Sequence, residues 1–234
     1  MKLLVSPINI EEAKIALKGG ADIIDVKNPK EGSLGANFPW IIASIKEAIN
    51  SEKPVSATIG DFNYKPGTAS LAALGAAVAG AEYIKVGLYD IQTSKQAKDM
   101  LENIVKAVKN YDDRKKVVAA GYSDFNRINS ISPFELPEIA RQTGIDVVMI
   151  DTGIKDGKST FEFMSKQDLI KFVSKAHDFG LQTAIAGAIK FENIDALRLI
   201  NPDIIGVRGV VCGGDRNSSI KQELVENLKK EIMA

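Results

Sequence analysis

Three apolar runs in this sequence end in charge: Ile23-Ile24-Asp25-Val26-Lys27, Tyr83-Ile84-Lys85-Val86-Gly87 and Val147-Val148-Met149-Ile150-Asp151, with Lys155 shortly after. A buried strand that ends in lysine or aspartate must pair the charge, shift its pKa or use it. Three lysines and two aspartates placed in this way point to amine chemistry. A free lysine titrates at about 10.4 and is protonated at neutral pH. Neighbouring cations and partial desolvation both lower that value, and a drop to about 7–8 is worth roughly 4 kcal/mol. The neutral amine then attacks a carbonyl to form an imine. The protonated imine is an electron sink, so the adjacent carbon can lose a proton. The aspartates balance the charge and shuttle protons. This chemistry requires no metal and no cofactor.

The elements that position these groups are short and regular. Residues 3–6, 23–27, 55–59, 83–86, 117–120, 147–151, 182–186 and 204–207 read as buried strands. Helical patterns follow at 10–18, 38–49, 69–79, 95–109, 133–141, 166–179, 191–199 and 218–232. Strands each followed by a helix predict an α/β fold, a single (β/α)8 TIM barrel spanning 1–234 as one catalytic domain. The junctions repeat: Gly19-Gly20-Ala21-Asp22, Ala79-Gly80-Ala81-Glu82 and Thr143-Gly144-Ile145-Asp146 each end a helix just before a strand. Asn9, Ser94 and Ser165 are the expected N-caps. An open doubly wound sheet would show a glycine-rich phosphate loop after its first strand, and Ser6-Pro7-Ile8-Asn9 is not one.

In such a barrel, active groups lie at the C-terminal strand ends, and side chains alternate between the axis and the helices. Ile24, Val26, Ile84, Val86, Val148 and Ile150 suit the helix side. Asp25, Lys27, Lys85 and Asp151 then face the axis, from strands two, four and six. Alternate strands share interior layers, so these four groups are expected to converge, with Lys155 reaching in from the loop. A one-residue register shift would reverse this. The competing reading is a set of structural ion pairs, and the concentration of charge at one rim favours a site.

A phosphate site is expected after strands seven and eight, where glycines let backbone amides approach an anion. Its candidates are Gly187, Lys190, Arg208, Gly209, Gly213 and Gly214, with Arg216 able to add charge. Residues 58–66 read as a polar loop after strand three that holds a substrate hydroxyl or only connects. The glycine-spaced segment 28–35 reads as a lid, with Lys30 a further phosphate candidate.

Composition narrows the rest. Thirty basic and thirty acidic residues leave no electrostatic case for a nucleic-acid or membrane partner. No apolar run approaches the roughly 20 residues of a membrane span. A lone cysteine permits no intrachain disulfide and fits the cytoplasm. His177 reads as a surface residue, Cys212 as a packing residue and residues 112–116 as a solvated turn. No zinc-ligand spacing is present.

The segment Asp25-Val26-Lys27-Asn28-Pro29-Lys30-Glu31-Gly32-Ser33-Leu34-Gly35-Ala36 resembles the strand-two motif of the (5-formylfuran-3-yl)methyl phosphate synthase family. Residues 83–87 and 151–155 are similar to that family at their positions, and the likeness runs over essentially the whole chain. The resemblance implies a (β/α)8 carbon–oxygen lyase of methanofuran biosynthesis. Such an enzyme condenses two molecules of glyceraldehyde 3-phosphate to a furan aldehyde, with loss of phosphate and water. The resemblance assigns the Schiff base to Lys27 and proton acceptance to Lys85, and matches Asp25, Asp151 and Lys155 to further active-site positions. The expected partner is a phosphorylated triose, with a homo-oligomer left open. Two rivals remain: a class I aldolase or isomerase acting on a sugar phosphate, and a non-catalytic phosphometabolite-binding barrel.

Overall fold

Eight short, β-rich segments pair side by side in chain order: β1 (Lys2–Val5), β2 (Ile23–Val26), β3 (Val55–Phe62), β4 (Tyr83–Leu88), β5 (Lys116–Tyr122), β6 (Val147–Asp151), β7 (Gln182–Ile185) and β8 (Ile204–Val207). All pairs are parallel, and β8 closes on β1 through Leu3↔Ile205 and Val5↔Val207. The structure is a computed structural model that describes residues 1–233. Its fold is the expected (β/α)8 barrel. The helices outside it are α1 (Ile10–Lys18), α2 (Pro39–Ala48), α3 (Pro66–Val78), α4 (Ser94–Tyr111), α5 (Leu136–Thr143), α6 (Thr160–Phe163), α7 (Lys166–Asp178), α8 (Ile194–Ile200) and α9 (Gln222–Met233). No helix among the described residues is long and apolar enough to cross a membrane.

Asn9 and Ser165 cap α1 and α7, accepting from Glu12 N and Asp168 N. The cap of α4 is Thr93 and not Ser94. Thr93 holds the extended backbone (φ −133°, ψ 147°) and accepts from Gln96 N, whereas Ser94 is already helical. The turn at 112–116 is solvated only in part. Arg114 is exposed beside Asp112, but Lys115 is buried and donates to Ala81 O at 2.7 Å.

Ile24, Val26, Ile84, Val86, Val148 and Ile150 join the apolar layer beneath the helices. The interior cluster includes Leu4, Ile23, Tyr83, Val118, Val147, Met149 and Ile204. The ladder advances one residue per strand around the barrel, so side chains of alternate strands share a level. Leu4, Ser56, Val118 and Ala184 make one level. Asp25, Lys85, Met149 and Gly206 lie above it. Next come Ser6, Thr58, Ala120 and Ala186, and then Lys27, Gly87, Asp151 and Arg208. The charged groups thus occupy two levels of even-numbered strands, with a neutral level between.

The mouth departs from the expected loops. β3 does not end at residue 59; it continues to Phe62 through a register shift between Thr58 and Asp61. Gly60 takes φ +126° there, a backbone that suits glycine. The shift pairs Asp61 with Gly87, where Asp61 accepts hydrogen bonds from Tyr122 Oη and from Leu34 N. The segment 28–35 lies folded over the mouth. Ser33 Oγ donates to Thr152 O at 2.8 Å, and Leu34 is wholly buried in the same interior cluster as Tyr122. It packs as a wall over the mouth above β3 and β5. Lys30 stays exposed and away from the cavity that remains.

Candidate active site

The wall leaves a cavity of about 630 Å3 at the C-terminal end of the barrel. Asp25, Lys27, Lys85, Asp151 and Lys155 all line it, as do Gly187, Lys190, Arg208, Gly209, Gly213 and Gly214. The two chemical groupings expected from sequence therefore face one space. No cluster of His, Cys, Asp and Glu suited to a metal ion occurs among the described residues.

The three lysines have different surroundings. Lys85 Nζ lies 2.9 Å from each oxygen of Asp25, and both side chains are essentially inaccessible. Ser6 Oγ donates to Asp25 Oδ2 at 2.8 Å. Lys155 Nζ lies 2.5 Å from Asp151 Oδ1 and 3.0 Å from Thr152 Oγ1. Asp151 Oδ1 also accepts from Thr152 N at 2.7 Å. Lys27 is 8% exposed, yet its Nζ forms no ion pair or hydrogen bond with any described residue.

These surroundings set the protonation states. Burial lowers the Lys27 pKa from 10.5 to about 7, with Lys155 and Lys85 pushing the same way against Asp151 and Asp25. Burial alone would raise the Asp25 carboxyl. The charges of Lys85 and Lys27, with hydrogen bonds from Lys85 and Ser56, outweigh it and hold Asp25 below its ordinary value. Asp151 is lowered in the same way, chiefly by Lys155 and Lys27 acting against burial. The cavity thus presents two matched ion pairs and one amine that is about half neutral near pH 7. Burial and the Asp61 charge push Tyr122 well above its usual value, so it remains a phenol donating to Asp61.

The β7 and β8 ends form a cup of backbone amides. Gly187 (φ +93°) and Ala188 (φ +48°) turn the chain after β7. A Cβ on Gly187 would strike the Thr160 side chain and lie 2.9 Å from Thr152 N. After β8, a short 3-10 turn spans Gly209–Cys212. The amides of Gly187, Ala188, Gly209 and Val210 donate to no acceptor among the described residues. Lys190 is exposed at the rim, 3.7 Å from Glu192.

Arg208 does not offer its guanidinium to the cavity, contrary to the expectation from sequence. Nη1 donates to Glu12 Oε2 at 2.7 Å and to Ser6 O at 2.8 Å. Nε donates to Arg216 O at 2.6 Å, and Nη2 to Ser218 O at 3.2 Å. A guanidinium has five N–H donors, and here they hold β1, α1 and the β8 loop together. Cys212 is buried among apolar neighbours, as expected of a packing residue. His177 lies at the surface, 2.9 Å from Asp203.

A family model described as 4-HFC-P synthase matches residues 3–229. The chain belongs to the 4-HFC-P synthase family. It is 69% identical over 234 residues to the (5-formylfuran-3-yl)methyl phosphate synthase of Methanosarcina barkeri, covering 100% of both chains. It is 58% identical over 232 residues to the protein of that name from Methanocaldococcus jannaschii, covering 98% of this chain and 99% of the relative. A crystal structure of 3-hexulose-6-phosphate synthase superposes with a TM-score of 0.70 at 21% identity, covering 99% of this chain and 100% of that one. That likeness shows the barrel alone.

In this 4-HFC-P synthase family member, an enzyme by that kinship, two neighbours of the site are not evident from sequence. Ser6 follows Leu4 by two residues, and alternation from an inward Leu4 is the signal that turns it inward. Asp61 reaches the mouth only because of the β3 irregularity, for which Gly60 is the sole local signal.

Proposed function

We propose that the enzyme condenses two molecules of glyceraldehyde 3-phosphate to (5-formylfuran-3-yl)methyl phosphate through an imine on Lys27, as a step of methanofuran biosynthesis. One observation carries the choice of nucleophile: among Lys27, Lys85 and Lys155, Lys27 alone is buried without a carboxylate partner, and its pKa is about 7. An imine forms from a neutral amine, and Lys27 supplies one without first breaking an ion pair. Full-length likeness, at 69% and 58% identity, to synthases of that name supports the furan phosphate as product.

Carbonyl attack by Lys27 is followed by loss of a carbon-bound proton, giving an enamine. Lys85 is the proposed proton acceptor, held in place by the Asp25 carboxylate 2.9 Å away. An ammonium has no free lone pair, so Lys85 accepts a proton only in its neutral form. Ser6 Oγ donates to the same carboxylate and fixes its orientation. Asp151 and Lys155 sit as the second proton-transfer pair for leaving oxygens. Coupling, ring closure and loss of one phosphate and two waters convert two triose phosphates into one furan phosphate. The amide cup of Gly187, Ala188, Gly209 and Val210 holds one phosphate.

Borohydride reduction in the presence of glyceraldehyde 3-phosphate, followed by peptide mass spectrometry, tests the assignment. The expected result is a reduced adduct on Lys27, with a near-ultraviolet furan aldehyde formed when reductant is omitted. An adduct on Lys85 or Lys155 and not on Lys27 would refute it. Acyclic sugar product without furan absorbance would favour an aldolase or isomerase instead.

A further inference from the structure

The proposed reaction brings two phosphate esters into one cavity, and the amide cup accounts for one. The counter-charge for the other is not supplied by the cations expected from sequence. Lys85 and Lys155 are neutralised by Asp25 and Asp151. Lys27 becomes the imine. Arg208 is neutralised by Glu12, and its donors are bound to protein oxygens. Lys190 lies in solvent beside Glu192. The segment 58–66 contributes nothing to the cavity wall.

Arg216 differs from all of these. It lines the cavity from the loop between β8 and α9. Its Nη2 is buried and has no hydrogen-bond partner among the described residues, and it belongs to no ion pair there. A buried guanidinium nitrogen without an acceptor is costly, and it persists where a ligand completes it. The loop is built to present this side chain. Gly213 and Gly214 take φ +82° and +103°, reversing the chain over the mouth. Arg208 Nε then holds the carbonyl of Arg216 itself at 2.6 Å. Asp215 accepts from Asn217 N at 2.9 Å and from Ser218 Oγ at 3.1 Å, tightening the same turn.

We propose that Arg216 is the ligand for the second phosphate, the phosphomonoester of the triose that is not held by the amide cup. The proposal rests on the two-triose reading above. A planar guanidinium offers paired N–H donors that match phosphate oxygens, and low local polarity strengthens the contact. Burial lowers the Arg216 pKa, with Arg208 acting the same way and Asp151 and Asp61 opposing, which places the charge in a partly desolvated setting facing the catalytic side. The group stays charged throughout the working range. Arg208 is thereby a positioning residue that acts through its neighbour.

The test uses the full-length enzyme and its Arg216→Gln and Arg216→Lys variants with glyceraldehyde 3-phosphate. Two readouts are compared: borohydride trapping at Lys27, which needs one triose, and furan formation, which needs two. For Arg216→Gln, trapping should stay within about threefold of the parent, which also shows that the variant folds. The triose concentration for half-maximal furan formation should rise by about 10- to 100-fold, in line with loss of a charge-assisted contact. Arg216→Lys should recover part of that loss. Unchanged furan kinetics in Arg216→Gln would overturn the proposal, as would trapping that falls in parallel with furan formation. Absence of a Lys27 adduct in the parent enzyme would overturn the imine reading and this proposal with it.

Discussion

Replacing Lys27 with methionine should abolish the imine and stabilise the fold. The folded protein holds Lys27 at about 7 against an ordinary value of 10.5. At about 1.4 kcal/mol per unit, that difference corresponds to a penalty on the order of 5 kcal/mol. The sign follows from proton counting. Between the two values the unfolded chain binds the Lys27 proton and the folded chain does not, so stability rises with pH. The penalty is full below about pH 7 and vanishes above about 10.5. Methionine keeps an unbranched stem of similar length and removes the titration. It orphans no carboxylate, because Asp25 and Asp151 retain Lys85 and Lys155. Urea denaturation of both proteins at several pH values is the assay. The variant should be more stable by a few kcal/mol near about pH 6.5, and the gap should shrink by about 1.4 kcal/mol per pH unit above about 7. Borohydride adduct and furan product should both be absent. A gap that is constant with pH, or a variant less stable than the parent near neutrality, would refute the claim that Lys27 is a desolvated amine that titrates near neutrality.

Three further outcomes are expected. Asp151 raises and Lys155 lowers the Lys27 pKa, so Asp151→Asn should shift the pH midpoint of reductive trapping below about 7, and Lys155→Gln should shift it above. Gly87→Ala would set a methyl group against Tyr122 Oη and 2.7 Å from Asp61 Oδ1, and overpacking of this kind costs about 1–3 kcal/mol, measurable by denaturation. Glu12→Ala removes the carboxylate facing the buried Arg208 guanidinium, and breaking a buried pair from one side costs about 3–5 kcal/mol in thermal or urea unfolding.

Repetition makes the barrel legible in the amino-acid sequence. Every apolar run that reads as a strand is one, and the period-two alternation in residues 23–27, 83–86 and 147–151 correctly divides the axis side from the helix side. Boundaries are less legible where a neighbouring residue can take over a role. Thr93 caps α4 ahead of Ser94 because cap choice depends on backbone dihedrals that either residue can adopt. β3 runs past residue 59 because a register shift lets the ladder continue, and no hydrophobic period marks such a shift.

Local pattern, then, determined the architecture and the gathering of Asp25, Lys27, Lys85, Asp151 and Lys155 at one end of it. It left the three lysines chemically equivalent, and only the family resemblance chose among them. The tertiary structure separated them, because partnership is a property of distance across strands and not of spacing along the chain. Asp25 reaches Lys85 within a shared level of the barrel, and Asp151 reaches Lys155 within its own loop. Lys27 is left desolvated and without a partner. The same cross-chain geometry moved Arg208 from phosphate ligand to internal strut and turned Arg216 toward the cavity, since a guanidinium already surrounded by Glu12 and backbone carbonyls has nothing left to donate.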